Sequence, residues 1–162
     1  MTIYMVRHAW AEDRDDAIYP NDDLRPLSRK GRKRFRKMAR RLAKRGFDVA
    51  HIATSPLVRC RQTADILAEY AASEPLIIEL DALRPGSQLE PLIEWTRKQE
   101  GRDVAWVGHA PDVDDLAAAL VGDRQATVQF DKGAVAAIEF ENPPTPGQGA
   151  LRWLAVAELL KC

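Results

Sequence analysis

Ile3-Tyr4-Met5-Val6-Arg7-His8-Ala9 is the stretch whose reading decides the fold. A run of β-formers, Ile3, Tyr4 and Val6 among them, breaks off at a fixed cation followed by a titratable ring. Read as a buried strand, it sets Arg7 and His8 at or just past its carboxyl end, the edge at which open α/β sheets bind ligands. A guanidinium is a planar cation suited to phosphate, and an imidazole can be a nucleophile or an acid–base. A strand that merely stops in a polar turn has the same local pattern. The weight therefore falls on what the rest of the chain brings to the same edge.

Downstream, Ala9 to Pro26 is acidic and aperiodic, with Glu12, Asp13, Asp15, Asp16, Asp22 and Asp23, and it contains Pro20, Asn21 and Pro26. It reads as a loop leaving the strand end, placed to shape access to it. Ser28 is a helix N-cap, and Phe35, Met38, Ala39 and Leu42 form one apolar helical face running toward Arg45, with Gly46 as the stop. Nearly everything else on that helix is Lys or Arg, a pattern open to an acidic partner or nucleic acid. With no aromatic residues on the basic face, a solvated surface is the simpler reading.

Val49 to Thr54 reads as a second strand. Ser55-Pro56 follows as N-cap and first helical position, with Leu57, Cys60, Ala64, Leu67, Ala68 and Ala71 on one face. Cys60 falls on that core face and has Ile66, not arginine, six residues on, which excludes a cysteine-phosphatase loop. Arg59 sits in the first turn, off the core face, where helix N–H groups already attract anions. Pro75 to Leu80 is a third strand, Asp81 to Ser87 a Pro-Gly loop, and Leu89 to about Lys98 a short helix in which Trp95 packs. Asp103-Val104-Ala105-Trp106-Val107-Gly108-His109-Ala110-Pro111 repeats the opening logic: an apolar strand ends in Gly-His, and Pro111 starts a helix with Val113, Leu116, Ala117 and Leu120 inward. Ala134 to Phe140 and Leu151 to Val156 close the chain as strands, joined by a hairpin loop over Asn142 to Gly149. His51, inside a strand pattern, reads as structural. Arg7, His8, Arg59 and His109 all fall at strand-to-loop or strand-to-helix junctions, which in a parallel sheet share one edge.

The 162 residues suffice for a single domain spanning 1–162 with a real core, and 46% hydrophobic with 30% charged residues is the profile of a globular chain. A formal net charge of zero supplies no global field to recruit nucleic acid or membrane, and no apolar run spans a bilayer. No basic-then-apolar leader precedes the first strand, and Cys60 and Cys162 form neither a disulfide framework nor a zinc pattern. The expectation is a cytoplasmic monomer with reduced thiols.

Val6-Arg7-His8, Ser55-Pro56-Leu57-Val58-Arg59-Cys60-Arg61-Gln62-Thr63-Ala64 and Val107-Gly108-His109, in that order and at that wide spacing, resemble the histidine phosphatase superfamily. The short chain and Leu24-Arg25-Pro26-Leu27-Ser28 look like its SixA-type phosphohistidine phosphatase branch. The resemblance implies a phosphoglycerate-mutase-like fold, a three-layer α/β/α sandwich on a mostly parallel sheet. It implies that His8 attacks phosphorus and carries the phosphoryl group, that Arg7, Arg59 and His109 hold its oxygens, with Arg25 as a further substrate contact, and that water then hydrolyses phospho-His8. No metal and no cofactor is implied. The partner is a phosphorylated protein, a phosphohistidine domain, or a small phosphorylated molecule, with neither nucleic acid nor membrane involved.

The chemistry fits the residue types: phosphoryl transfer is mostly positioning and charge stabilisation, and two guanidiniums offer donor forks to the oxygens. A nucleophilic His8 has to be neutral and His109 works best protonated, so a lower pKa is expected for His8. Three positions depart from the family pattern. Ala9 stands where glycine is usual. Arg14 stands where the mutase branch has Asn, which argues against mutase activity. Ala82 stands where relatives carry a general-acid Glu, leaving Asp22 first and Asp81 second as candidate acids. A weak acid suits an imidazole leaving group better than an alkoxide. The leading expectation is thus a phosphohistidine phosphatase. The alternatives are a broad-specificity small-molecule phosphomonoesterase and, from another class, a non-catalytic phosphate-binding interaction module.

Overall fold

The computed structural model describes residues 1–123, 125–141 and 143–162. β1 (Thr2–Arg7) pairs in parallel with β4 (Val104–Gly108) and antiparallel with β5 (Val135–Glu139). β2 (His51–Thr54) lies on the far side of β4, and β3 (Leu76–Glu79) beyond it, both parallel, while β6 (Ala150–Ala155) runs antiparallel to β5 at the other edge. The sheet order is β3-β2-β4-β1-β5-β6. The expected mostly parallel sheet is therefore four parallel strands with an antiparallel pair added. Asn142, the first residue of the expected hairpin loop between β5 and β6, lies outside the described residues.

Alternation along the central strands sorts their side chains into two cores. Tyr4 and Val6 of β1, with Ile52, Ala105 and Val107, pack against Phe35, Met38, Ala39 and Leu42 of α1 (Arg29–Ala43) and Cys60, Ala64 and Leu67 of α2 (Val58–Ala68). Ile3 and Met5, with Ala53 and Trp106, pack against Leu92 and Ile93 of α3 (Leu89–Arg97) and Val113, Leu116, Ala117 and Leu120 of α4 (Asp112–Val121). A strand buried on both faces has to be apolar at both parities, which is why β1 and β4 read as continuous apolar runs rather than alternating ones. The result is the α/β/α sandwich with helices on both faces. Among the described residues no helix is long and apolar enough to cross a membrane.

Two local expectations change. α1 starts as expected, Ser28 Oγ accepting from the Gly31 amide at 3.0 Å. α2 starts later, with Leu57 as N-cap and no side-chain cap bond; the Ser55 hydroxyl lies 3.0 Å from His109 Nε2 and accepts only a long 3.5 Å bond from the Leu57 amide. The acidic loop after β1 is also tied down more than its composition suggests. Ala11 and Leu27 form an antiparallel bridge, the Glu12 amide donates to the Pro26 carbonyl at 2.9 Å, and Asp22–Leu24 make one 3-10 turn. Gly31 lets α1 approach this loop: a Cβ there would sit 2.0 Å from the Trp10 carbonyl oxygen.

Candidate active site

Because β1 and β4 are parallel neighbours in register, Arg7 opposite Gly108, their carboxyl ends deliver His8 and His109 side by side. The ring centroids are 5.3 Å apart at an interplanar angle of 62°. β2, on the other flank of β4, ends at Thr54, and the chain turns through Ser55 into α2, whose second residue is Arg59. The three motifs thus converge on one rim, as parallel topology requires of strand carboxyl ends.

His8 is anchored through its backbone, its amide donating to the Gly108 carbonyl at 3.0 Å and its carbonyl accepting from the Gly133 amide at 3.0 Å. Its Nδ1 lies 2.7 Å from the Ala9 carbonyl. A carbonyl only accepts, so Nδ1 carries the proton and donates, and Nε2 keeps a free lone pair. Burial, opposed by that hydrogen bond and reinforced by the charges of His109, Arg59 and Arg7, lowers its pKa to about 3. His109, 5% exposed, has its Nε2 3.0 Å from Ser55 Oγ and 3.4 Å from Cys60 Sγ. Burial and Arg59, partly offset by Asp22, lower its pKa to about 4. The expected contrast, a neutral His8 beside a protonated His109, is not what burial produces: both rings are held well below the ordinary imidazole range. Both rings are neutral at neutral pH in the free protein, and an arriving phosphate dianion favours the protonated form of its neighbours.

The two guanidiniums are held alike. Arg7 Nη1 donates to the Phe130 carbonyl at 2.6 Å, and Arg59 Nη1 to the Asp22 carbonyl at 2.8 Å. In each, Nε is buried and has no partner among the described residues. Two unpartnered buried cationic N–H groups are costly by themselves, and they are the groups an anion would satisfy. Arg59, which the helical pattern leaves off the core face, is nevertheless 5% exposed, because the Asp22 turn folds over it.

Asp22 is drawn to the site, but as an ion-pair partner. Its carboxylate meets Arg25 Nε at 2.7 Å and Arg59 Nη2 at 3.1 Å. The Arg25 hydrogen bond and then the Arg59 charge hold its pKa below the ordinary carboxylate range. As a general-acid candidate it is corrected on that ground: the ionised carboxylate has no proton to donate. Asp81 is not brought in. Its side chain is 86% exposed and meets Arg84 Nε at 2.8 Å, while Arg84 also reaches Asp23 at 2.9 Å. Arg25, the suggested substrate contact, spends its Nε on Asp22 and its Nη1 on the Glu12 carbonyl at 2.8 Å, so it braces the loop. Among the described residues no three His, Cys, Asp or Glu side chains gather as a metal-binding set.

Ala9 carries no backbone strain, since it is not among the residues with positive φ, and it is fully buried. Its amide donates to Thr63 Oγ1 at 3.0 Å, and that hydroxyl donates to the Arg59 carbonyl at 2.7 Å. Thr63, fully buried one turn beyond Arg59, therefore ties the segment after His8 to the arginine-bearing helix. Sequence reasoning missed it, along with Ser55 beside His109 and Phe130 beneath Arg7. Thr63 and Ser55 stood inside the quoted motif, whereas Phe130 had no signal. Cys60 packs in the core as expected, burial pushing its thiol up to about 12, so it is not a nucleophile.

With this geometry in place, comparison with known proteins is informative. Residues 3–85 match the model of the histidine phosphatase superfamily (branch 1). An uncharacterized protein of Picosynechococcus sp. is 39% identical over 123 residues, covering 74% of this chain and 73% of that protein. Among solved structures, the protein histidine phosphatase SixA complexed with tungstate superposes with a TM-score of 0.85 over 99% of both chains at 23% identity. The alpha-ribazole phosphatase of Shigella flexneri superposes at 0.72 over 97% of both chains at 14% identity. The sequence match across β1, α1 and α2, and the convergence of its residues on one rim, agree: the chain belongs to the histidine phosphatase superfamily.

Proposed function

We propose that the protein is a phosphatase acting through a phosphohistidine intermediate on His8, and that its substrate is phosphohistidine in another protein. The single observation that carries the first part is the arrangement around His8. Its lone pair is on Nε2, its other nitrogen is pinned by the Ala9 carbonyl, and Arg7 and Arg59 each keep a buried Nε–H with no partner among the described residues. In this reading Nε2 attacks phosphorus, the N–P bond forms as the bond to the leaving group breaks, and Arg7, Arg59 and His109 take the charge on the equatorial oxygens. Water then cleaves the N–P bond, releasing phosphate and returning the imidazole.

The leaving group supports the second part. Asp22 is ionised between two cations and Asp81 is solvated, so neither carboxyl offers the proton an alkoxide needs. A phosphohistidine that is already protonated on its ring departs as neutral imidazole and makes no such demand. Fold likeness to an alpha-ribazole phosphatase keeps a small phosphomonoester as the second reading.

Comparing turnover of a phosphohistidine peptide with that of an alkyl phosphate decides between them. The proposal expects the peptide to be preferred at least tenfold, and an alkyl phosphate turned over as fast sinks it. Acid-labile phosphate on His8 after brief substrate exposure, absent in His8→Ala, separates an enzyme from a non-catalytic phosphate-binding module.

A further inference from the structure

The charge of this chain is segregated. Between Leu24 and Phe47 there are twelve Lys and Arg and no Asp or Glu, so in a chain of zero net charge every acid lies elsewhere. α1 carries most of these cations on its outer side. Lys33, Arg36, Lys37, Arg40, Arg41 and Lys44 line one groove, walled by Tyr70. Lys33 and Lys44 are eleven helical rises apart, about 16 Å. Among the described residues Arg36 is the only one of the six with a carboxylate partner, Glu69 at 3.0 Å and 3.1 Å.

The helix that carries the groove starts near the site. Trp10, two residues after His8, accepts from the Ser28 amide at 3.0 Å, packs its carbonyl against Gly31 and carries the Arg34 guanidinium 4.2 Å above its ring. Catalysis on a small phosphate has no use for a cationic track of this length, whereas a macromolecule whose phosphate enters the pocket must lie on the surface around it.

We infer that this groove docks an acidic surface of the phosphorylated protein substrate, an inference that rests on the protein-phosphohistidine reading above. Other polyanions fit less well. α1 has no apolar face left for a bilayer, because Phe35, Met38, Ala39 and Leu42 are spent on its own core. The groove offers no exposed ring on which bases could stack, Tyr70 being partly buried, and Glu69, paired with Arg36 beside it, repels a continuous phosphate backbone. Discrete carboxylates can thread between Glu69 and the unpaired cations.

The test uses two synthetic peptides, each with one phosphohistidine, one flanked by eight glutamates and the other by eight lysines. The protein is compared with the triple variant Lys33→Glu, Arg40→Glu, Lys44→Glu and with its Gln counterpart. These positions are exposed and their side chains have no partner among the described residues, so an aryl phosphate should be hydrolysed within twofold of the parent rate, which also certifies folding. The inference expects kcat/KM for the acidic peptide to exceed that for the basic one about tenfold at low salt. That advantage should vanish at ~0.5 M salt, where screening acts over roughly 4 Å, and should halve or reverse in the variants. Equal turnover of the two peptides, or an advantage undiminished in the triple variant, overturns it. So does variant-sensitive binding of a 20-base-pair duplex or of phosphatidylglycerol vesicles that is tighter than binding of the unphosphorylated Glu-rich peptide. If that peptide binds in a variant-sensitive way while neither phosphopeptide is hydrolysed, the groove is supported and the phosphohistidine reading fails.

Discussion

Replacing Thr63 by Val keeps the shape of the side chain and removes one hydroxyl. That hydroxyl is the acceptor for the Ala9 amide at 3.0 Å and the donor to the Arg59 carbonyl at 2.7 Å, and both Thr63 and Ala9 are completely buried. Val and Thr have similar helix propensity, so the helix itself is indifferent to the exchange. The Ala9 amide, however, is left without a partner and out of reach of water, a loss of about 1–3 kcal/mol. For a domain of this size each kcal/mol lowers Tm by roughly 2–4 °C, so thermal unfolding should come about 2–12 °C earlier. The same bond sets the segment that holds His8 Nδ1, so kcat on an aryl phosphate should fall about tenfold with a smaller change in KM, since small misplacements of a nucleophile are expensive. Thr63→Ser restores the hydroxyl and should recover most of the rate. A Thr63→Val protein that melts with the parent, or a Thr63→Ser protein as slow as Thr63→Val, refutes the bridge.

Three further outcomes follow from the same geometry. Both site imidazoles are held below their ordinary pKa, His8 at about 3 and His109 at about 4, and His51 is lowered too, by burial and then Arg102. Below ~6.5 the unfolded chain takes up protons that the folded one refuses, so stability should be flat above that pH and fall as pH drops toward 4, less steeply in His8→Gln. Denaturant midpoints from pH 8 to 4.5 measure this, and a midpoint that rises on acidification contradicts it. Asp22→Asn removes a charge that raises the His109 pKa, so in an NMR titration His109 should protonate at still lower pH, while phosphohistidine turnover persists. Turnover lost at every pH would restore Asp22 as the acid. Ala9→Gly should leave activity intact and lower stability by ~0.4–1 kcal/mol, because the native backbone there needs no glycine and a freer unfolded chain is the main effect.

Much of this was readable in the chain, for identifiable reasons. β1 and β4 announce themselves because strands buried on both faces are uninterrupted apolar runs, and α1 because a Ser cap, a one-sided apolar stripe and a terminal glycine leave little choice. Arg7, His8, Arg59 and His109 stood out as polar residues abutting such elements. What stayed hidden depends on contacts between distant parts of the chain. Phe130 lies 123 residues from the Arg7 it supports. The Asp22 turn buries Arg59 from 37 residues away. Ser55-Pro56 has the local form of a helix start, yet the helix opens at Leu57 and the hydroxyl also reaches a histidine 54 positions on.

The double burial of β1 has a consequence for how errors would be felt. Shifting the strand by one residue exchanges Ile3 and Met5 with Tyr4 and Val6, oil for oil, and neither core would strongly object. Register must therefore be enforced at the tip, where the Arg7 amide meets Ala134, the His8 amide meets Gly108 and Gly133 closes on the His8 carbonyl. With the tip holding register, a one-residue deletion between Ile3 and Val6 should yield a chain that still folds, with the residues before the deletion displaced by one and the imidazole still where it belongs. Proofreading of alignment in this strand is done by the chemistry end, not by the grease.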